Sequence, residues 1–171
     1  MLRLLLLRHA KAADASERSS DIDRPLAPRG EREAARIGEM MAEAGLMPAR
    51  ILCSTALRTR QTLSQMLPPL LAAMPDGGDI KLAGELYGAG RDYLDIVKSS
   101  GGGAPSLLLI GHNPATHQTA RLLAGTGSAD LLAELAAKFP TAALAVLDFD
   151  TVDWTGLAPA TGRLTHFLQS K

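Results

Sequence analysis

The chain is organised by two kinds of apolar pattern. Leu4 to Leu7 form an uninterrupted run that stops at Arg8-His9, and Leu107-Leu108-Leu109-Ile110 repeats it in front of Gly111-His112. Continuous apolar runs of this length suit strands buried on both faces, as parallel sheets require. Arg50-Ile51-Leu52-Cys53 predicts a second strand, and 80–82, 142–149 and 162–169 predict three more, the last alternating like an edge strand. Helical spacing fills the intervals. Ala34, Ile37, Met41 and Ala44 share a face, with Gly45 as a stop. Ser54 and Thr55 read as caps of a helix that carries Arg58, Thr62 and Met66 and ends or kinks at Pro68-Pro69. Further helices are predicted over about 91–99, from Asn113-Pro114 to about 123, and over about 131–138. A polar loop over about 11–29, a Pro/Gly-rich turn over 75–78 and the linker Gly101-Gly102-Gly103 separate them.

This mostly βαβα order predicts a single α/β domain over 1–171. It is a three-layer sandwich, with a mostly parallel central sheet, helices on both faces and a last strand pair that adds an antiparallel edge. The opening leucines are too few for a secretory signal, whose apolar core needs about 7–15 residues. No segment approaches the ~18 apolar residues of a membrane span. A membrane is therefore not an expected partner.

Composition narrows the chemistry. Hydrophobic residues make up 46% but aromatic ones only 4%, so the core must be built from Leu, Ala, Val and Ile. Lys plus Arg equals Asp plus Glu at 18 each, which argues against a nucleic-acid-binding surface. Any anion must instead meet a local cluster of cations. The lone Cys53 excludes an internal disulfide and suggests a reducing, cytoplasmic setting. Its place in an apolar run makes it a small buried side chain rather than a nucleophile.

Three strand ends carry the candidate chemistry: Arg8-His9, Ser54 leading to Arg58, and Gly111-His112. In open α/β sheets ligands bind beyond the carboxyl ends of the strands. Two guanidiniums and two imidazoles meeting there would form a pocket for a compact dianion, phosphoryl above all. Arg60 lies about 200° around the helix from Arg58, so only one of the two faces such a pocket. Gly101-Gly102-Gly103 lacks the phosphate-loop pattern, and Gly88-Ala89-Gly90 is fed by no strand, so neither indicates a nucleotide. His117 belongs to no HExxH motif, which leaves it a helix residue and a metal site unexpected. His166 reads as structural.

Arg8-His9, the stretch STALRTRQT from Ser54 to Thr62, and Gly111-His112, in that order, resemble the histidine phosphatase superfamily, whose fold is that of phosphoglycerate mutase. Arg24-Pro25-Leu26 with Gly30, and Lys138-Phe139-Pro140-Thr141, are similar in particular to its short bacterial phosphohistidine phosphatases of the SixA type. The resemblance spans most of the chain. It implies that His9 is the nucleophile and forms a phosphohistidine that water hydrolyses. It implies that Arg8 and Arg58 clamp the phosphoryl oxygens, that motif spacing selects Arg58 over Arg60, and that His112 adds an N–H. No metal or organic cofactor is implied.

Larger members place an acid after the third strand, where Glu85 falls. Glu85 is either a modest acid or a rim residue, and Arg24 either reaches the pocket mouth or forms a loop salt bridge. The short interval between the third strand and Leu107 implies an open site. A phosphorylated protein side chain, phosphohistidine in a signalling or phosphotransfer protein, is then the expected substrate, with inorganic phosphate as product. The alternatives are a small phosphorylated metabolite or a non-catalytic phosphoprotein-binding module.

Overall fold

The computed structural model describes residues 1–17, 20–72, 78–88, 90 and 92–170, and in it the leucine run divides by parity. Leu4 and Leu6 enter one core cluster, Leu5 and Leu7 the other, all fully buried. Leu107 and Leu109 against Leu108 and Ile110 repeat the division. Alternate side chains of a strand point to opposite faces. A run with no polar member therefore needs a helical layer on each side.

Those layers are present. The elements run β1 (Leu2–Arg8), α1 (Pro28–Glu43), β2 (Arg50–Ser54), α2 (Leu57–Leu71), β3 (Asp79–Ala83), α3 (Leu94–Ser100), β4 (Ser106–Gly111), α4 (Ala115–Leu123), β5 (Ala124–Gly127), α5 (Ala129–Ala137), β6 (Ala143–Phe149) and β7 (Gly162–Gln169). Helices α1 and α2 cover one face through Ile37, Met41, Leu63, Met66 and Leu70, while α3, α4 and α5 cover the other through Val97, Ala120, Leu123 and Leu135. Gly38 lets α1 and α2 cross closely, since a Cβ there would lie 2.4 Å from the carbonyl oxygen of Met66. Gly45, at φ 67°, ends α1 as expected, with its N–H on Ala42 and that of Leu46 on Met41.

The sheet order is β3-β2-β4-β1-β6-β7-β5. Strands β3, β2, β4 and β1 are parallel, and β6 runs against both β1 and β7. The antiparallel pair is thus present, but β7 is not at the edge. Its outer side pairs with β5, whose Ala-Gly-Thr-Gly sequence is too short and too polar to read as a strand. The helix expected over 91–99 begins at Leu94, and Pro68 and Pro69 lie in the last turn of α2. Residues 75–77 of the expected turn, Arg91, and Ala89 of Gly88-Ala89-Gly90 lie outside the described residues.

Register decides where chemistry can occur. Arg8 lies opposite Gly111, and Cys53 opposite Ile110, so the carboxyl ends of β2, β4 and β1 finish side by side.

Candidate active site

The segments beyond these three strand ends converge. The His9 N–H donates to the Gly111 carbonyl at 3.0 Å, which extends the β1–β4 ladder one residue past β1. The Ala10 N–H donates to Thr62 Oγ1 at 3.0 Å, and that hydroxyl donates in turn to the Arg58 carbonyl at 2.7 Å. Thr62 therefore ties the turn after His9 to the helix that carries Arg58. Ala142 closes the other side, its N–H shared between the carbonyls of Arg8 and His9.

His9 is buried, with 7% of its surface exposed. Its Nδ1 lies 2.8 Å from the Ala10 carbonyl, which can only accept, so Nδ1 carries the proton and Nε2 keeps its lone pair. Burial pushes the imidazole pKa down to about 3, opposed by the Ala10 carbonyl and aided by His112 and the charges of Arg58 and Arg8. The ring is a neutral nitrogen nucleophile at any ordinary pH.

The Arg8 Nη1 donates to the Phe139 carbonyl at 3.0 Å, and Arg58 is buried. The Nε of each is buried without a hydrogen-bond partner. An orphaned buried donor costs roughly 1–3 kcal/mol.

His112 follows β4, with its ring centroid 5.3 Å from that of His9. Arg58 Nη2 donates to His112 Nδ1 at 3.3 Å, and His112 Nε2–H then donates to Ser54 Oγ at 2.8 Å. Burial first, then the charge of Arg58, lowers the His112 pKa to about 4. Behind it, the Tyr93 hydroxyl accepts the His112 N–H at 2.9 Å. Gly111 makes room for this contact, because a Cβ there would lie 2.6 Å from the Tyr93 hydroxyl oxygen.

Ser54 is therefore not a helix cap. It ends β2, Ala56 is the N-cap of α2, and the Ser54 hydroxyl serves His112 instead. Arg24 forms the loop salt bridge, with Nη2 3.3 Å from Asp21 Oδ1. Glu85 is exposed on the 3₁₀ turn Gly84–Leu86 and engages no described residue by hydrogen bond or ion pair. Arg60 is exposed, and Cys53 is buried, with its thiol pushed up to about 12 by burial. His117 bonds the Leu135 carbonyl at 2.6 Å and packs on Phe139. His166 lies beside Thr165 Oγ1 on β7.

Two rim residues carried no signal in the sequence. Asp21, on the 3₁₀ turn Asp21–Asp23, binds Arg58 Nη2 through Oδ2 at 3.1 Å and Arg58 Nη1 through its main-chain carbonyl at 2.7 Å. The Tyr87 hydroxyl donates to the same Oδ2 at 2.8 Å, and the Tyr87 ring meets His112 edge-on. Asp21 lies in a loop without periodicity, 37 positions from Arg58, so only the fold unites them.

Residues 4–73 match the model of the histidine phosphatase superfamily, branch 1. The chain is 37% identical to the candidate phosphohistidine phosphatase SixA of Agrobacterium tumefaciens, with a TM-score of 0.78 over 98% of this chain and 97% of that one. It is 32% identical to the SixA candidate of Nakamurella multipartitia, with a TM-score of 0.79 over 99% and 96%. An uncharacterised Mycobacterium tuberculosis protein is 35% identical over 166 residues, covering 94% of this chain and 98% of the relative. The chain belongs to the histidine phosphatase superfamily and is a phosphatase, a hydrolase of that family.

Proposed function

We propose that the chain, as one domain over 1–171, removes the phosphoryl group from phosphohistidine on another protein through a covalent intermediate on His9. His9 Nε2 attacks phosphorus in line, and the leaving nitrogen departs with the bonding pair. Water then attacks phospho-His9, the N–P pair returns to Nε2, and inorganic phosphate leaves. Arg8 and Arg58 offer guanidinium N–H groups to the phosphoryl oxygens, where charge builds in the transition state. With a dianion bound, His112 gives up the Arg58 contact at Nδ1, takes a proton there from solvent and donates it to a phosphoryl oxygen as a hydrogen bond, while Nε2–H stays on Ser54.

One observation carries the choice of substrate. Among the described residues, the only carboxylate bonded to Arg8, His9, Arg58 or His112 is that of Asp21. The Tyr87 hydroxyl, and after it Arg58, hold that carboxyl below its ordinary pKa, so it stays ionised. Among the described residues, no carboxyl group bonded to these four side chains is protonated to serve a departing alkoxide. A protonated imidazole needs none, since it leaves as the neutral ring. The SixA likenesses of A. tumefaciens and N. multipartitia support the same reading.

A leaving-group series tests it. General-acid assistance is worth roughly 10²–10⁴. Phosphohistidine peptides are therefore expected to exceed alkyl phosphates in kcat/KM by about 10² or more. Equal rates would overturn the assignment in favour of a metabolite phosphatase.

A further inference from the structure

We propose that Asp21, held in place by Tyr87, is the specificity-determining residue for the leaving group. Its carboxylate accepts a hydrogen bond from the distal ring N–H of a phosphohistidine imidazole. The proposal rests on the phosphohistidine reading above and says how the pocket tells that substrate from an ester.

A carboxylate is an odd neighbour for a dianion pocket. Asp21 occupies two of the Arg58 nitrogens, one through its side chain and one through its main chain. It adds negative charge beside the position the phosphoryl group must take. A site selected only for phosphate affinity would do better with a neutral residue there. Yet two donors, the Tyr87 hydroxyl and Arg58 Nη2, fix one oxygen of this carboxylate, and Arg24 forms an ion pair with the other. The side chain remains 54% exposed, which leaves lone pairs for a further donor arriving from solvent.

The surroundings suit a flat ring. The centroids of His9 and His112 are 5.3 Å apart, and those of His112 and Tyr87 5.6 Å, the second pair at 81°. His112 thus neighbours both the His9 ring and the Tyr87 ring, and the Tyr87 hydroxyl bonds the carboxylate. Tyr87 is itself 37% exposed and offers a substrate ring an aromatic wall.

The chemistry balances with what the substrate brings. As the bond from His9 Nε2 to phosphorus forms, the substrate P–N bond breaks and its pair stays on the ring nitrogen. The proton on the other ring nitrogen, held by Asp21, never leaves the ring, which departs as neutral imidazole. An alkyl phosphate brings neither the N–H nor the ring, and its departing oxyanion meets a carboxylate of like charge.

The test compares kcat/KM for phosphoimidazole and for an alkyl phosphate in wild type, Asp21→Asn, Asp21→Glu and Tyr87→Phe. A hydrogen bond to a charged partner is worth enough that Asp21→Asn is expected to slow phosphoimidazole about tenfold or more. The same variant is expected to slow the alkyl phosphate less, because the repulsion is gone, so the ratio of the two rates falls. Asp21→Glu restores part of the ratio, and Tyr87→Phe shifts it the same way as Asp21→Asn, but less. Loss of rate on both substrates in equal measure would show that Asp21 merely positions Arg58 and would overturn the proposal, as would an unchanged ratio. Trapping of labelled phosphoenzyme in wild type separates the two levels. Phospho-His9 with an unmoved ratio sinks only the role of Asp21, whereas no phosphoenzyme sinks the parent reading and this one together.

Discussion

Ser54 Oγ lies 2.8 Å from Nε2 of His112, at the end of a strand two places away in the sheet from the one that leads into His9. The serine hydroxyl accepts from Nε2–H in the neutral ring and in the imidazolium alike, so one residue serves both protonation states. Ser54→Ala leaves a buried N–H unpaired and the imidazole free to turn. We expect kcat/KM to fall about tenfold while the protein stays folded. Steady-state kinetics beside a thermal melt check this, and activity within twofold of wild type would contradict it.

The protonation of His9 is the second expectation. Its folded pKa, about 3, lies below the ordinary value of 6.5. Imidazole nitrogen shifts in NMR are therefore expected to show a neutral Nδ1–H tautomer throughout the range from pH 8 to about 4. A ring that charges near pH 6.5 would contradict the burial argument.

The same shift bears on stability. Between about pH 3 and 6.5 the unfolded chain binds a proton at His9 that the folded chain does not. Stability then rises with pH across that window and is lost as pH falls through it. His112, lowered to about 4, adds in the same direction. The His9 contribution is about 5 kcal/mol at most. Denaturation midpoints from pH 7 to 4 are expected to fall, and to fall less in His9→Gln.

Much of this architecture was legible in the chain itself. The apolar runs announced two-sided burial, and β1 and β4 occupy the middle of the sheet. Arg8, His9, Arg58 and His112 were recognisable because each follows a strand end or opens a helix, positions that the βαβ pattern places at one edge. Ser54 was legible in position but not in role, since a serine before a helix reads as a cap until a distant ring claims its hydroxyl. Asp21 and Tyr87 were illegible for a different reason. Both sit on short 3₁₀ turns or beside them, where no repeat marks a facing side chain, and their partnership is a product of the fold alone. Strand β5 escaped notice because two of its four residues are glycine.

Glu85 supplies a negative prediction. Its carboxylate is exposed and holds no described partner. Glu85→Gln is expected to leave phosphohistidine hydrolysis within about twofold, far short of the roughly hundredfold loss that removing a general acid brings. A loss of that size on kcat/KM would restore Glu85 to the mechanism.

Leu109, fully buried at the centre of β4, reports on the layered core. Leu109→Ala is expected to cost about 2–5 kcal/mol in denaturant unfolding. A cost under about 1 kcal/mol would mean that the cluster repacks around the gap.

The most direct measurement is rapid acid-free quenching of turnover with labelled phosphohistidine substrate, followed by peptide mapping of the trapped label. An acid-labile, base-stable phosphoryl group on the peptide that contains His9, absent from His9→Gln, is the expected result. Label on any other side chain, or full turnover by His9→Gln, would contradict the account.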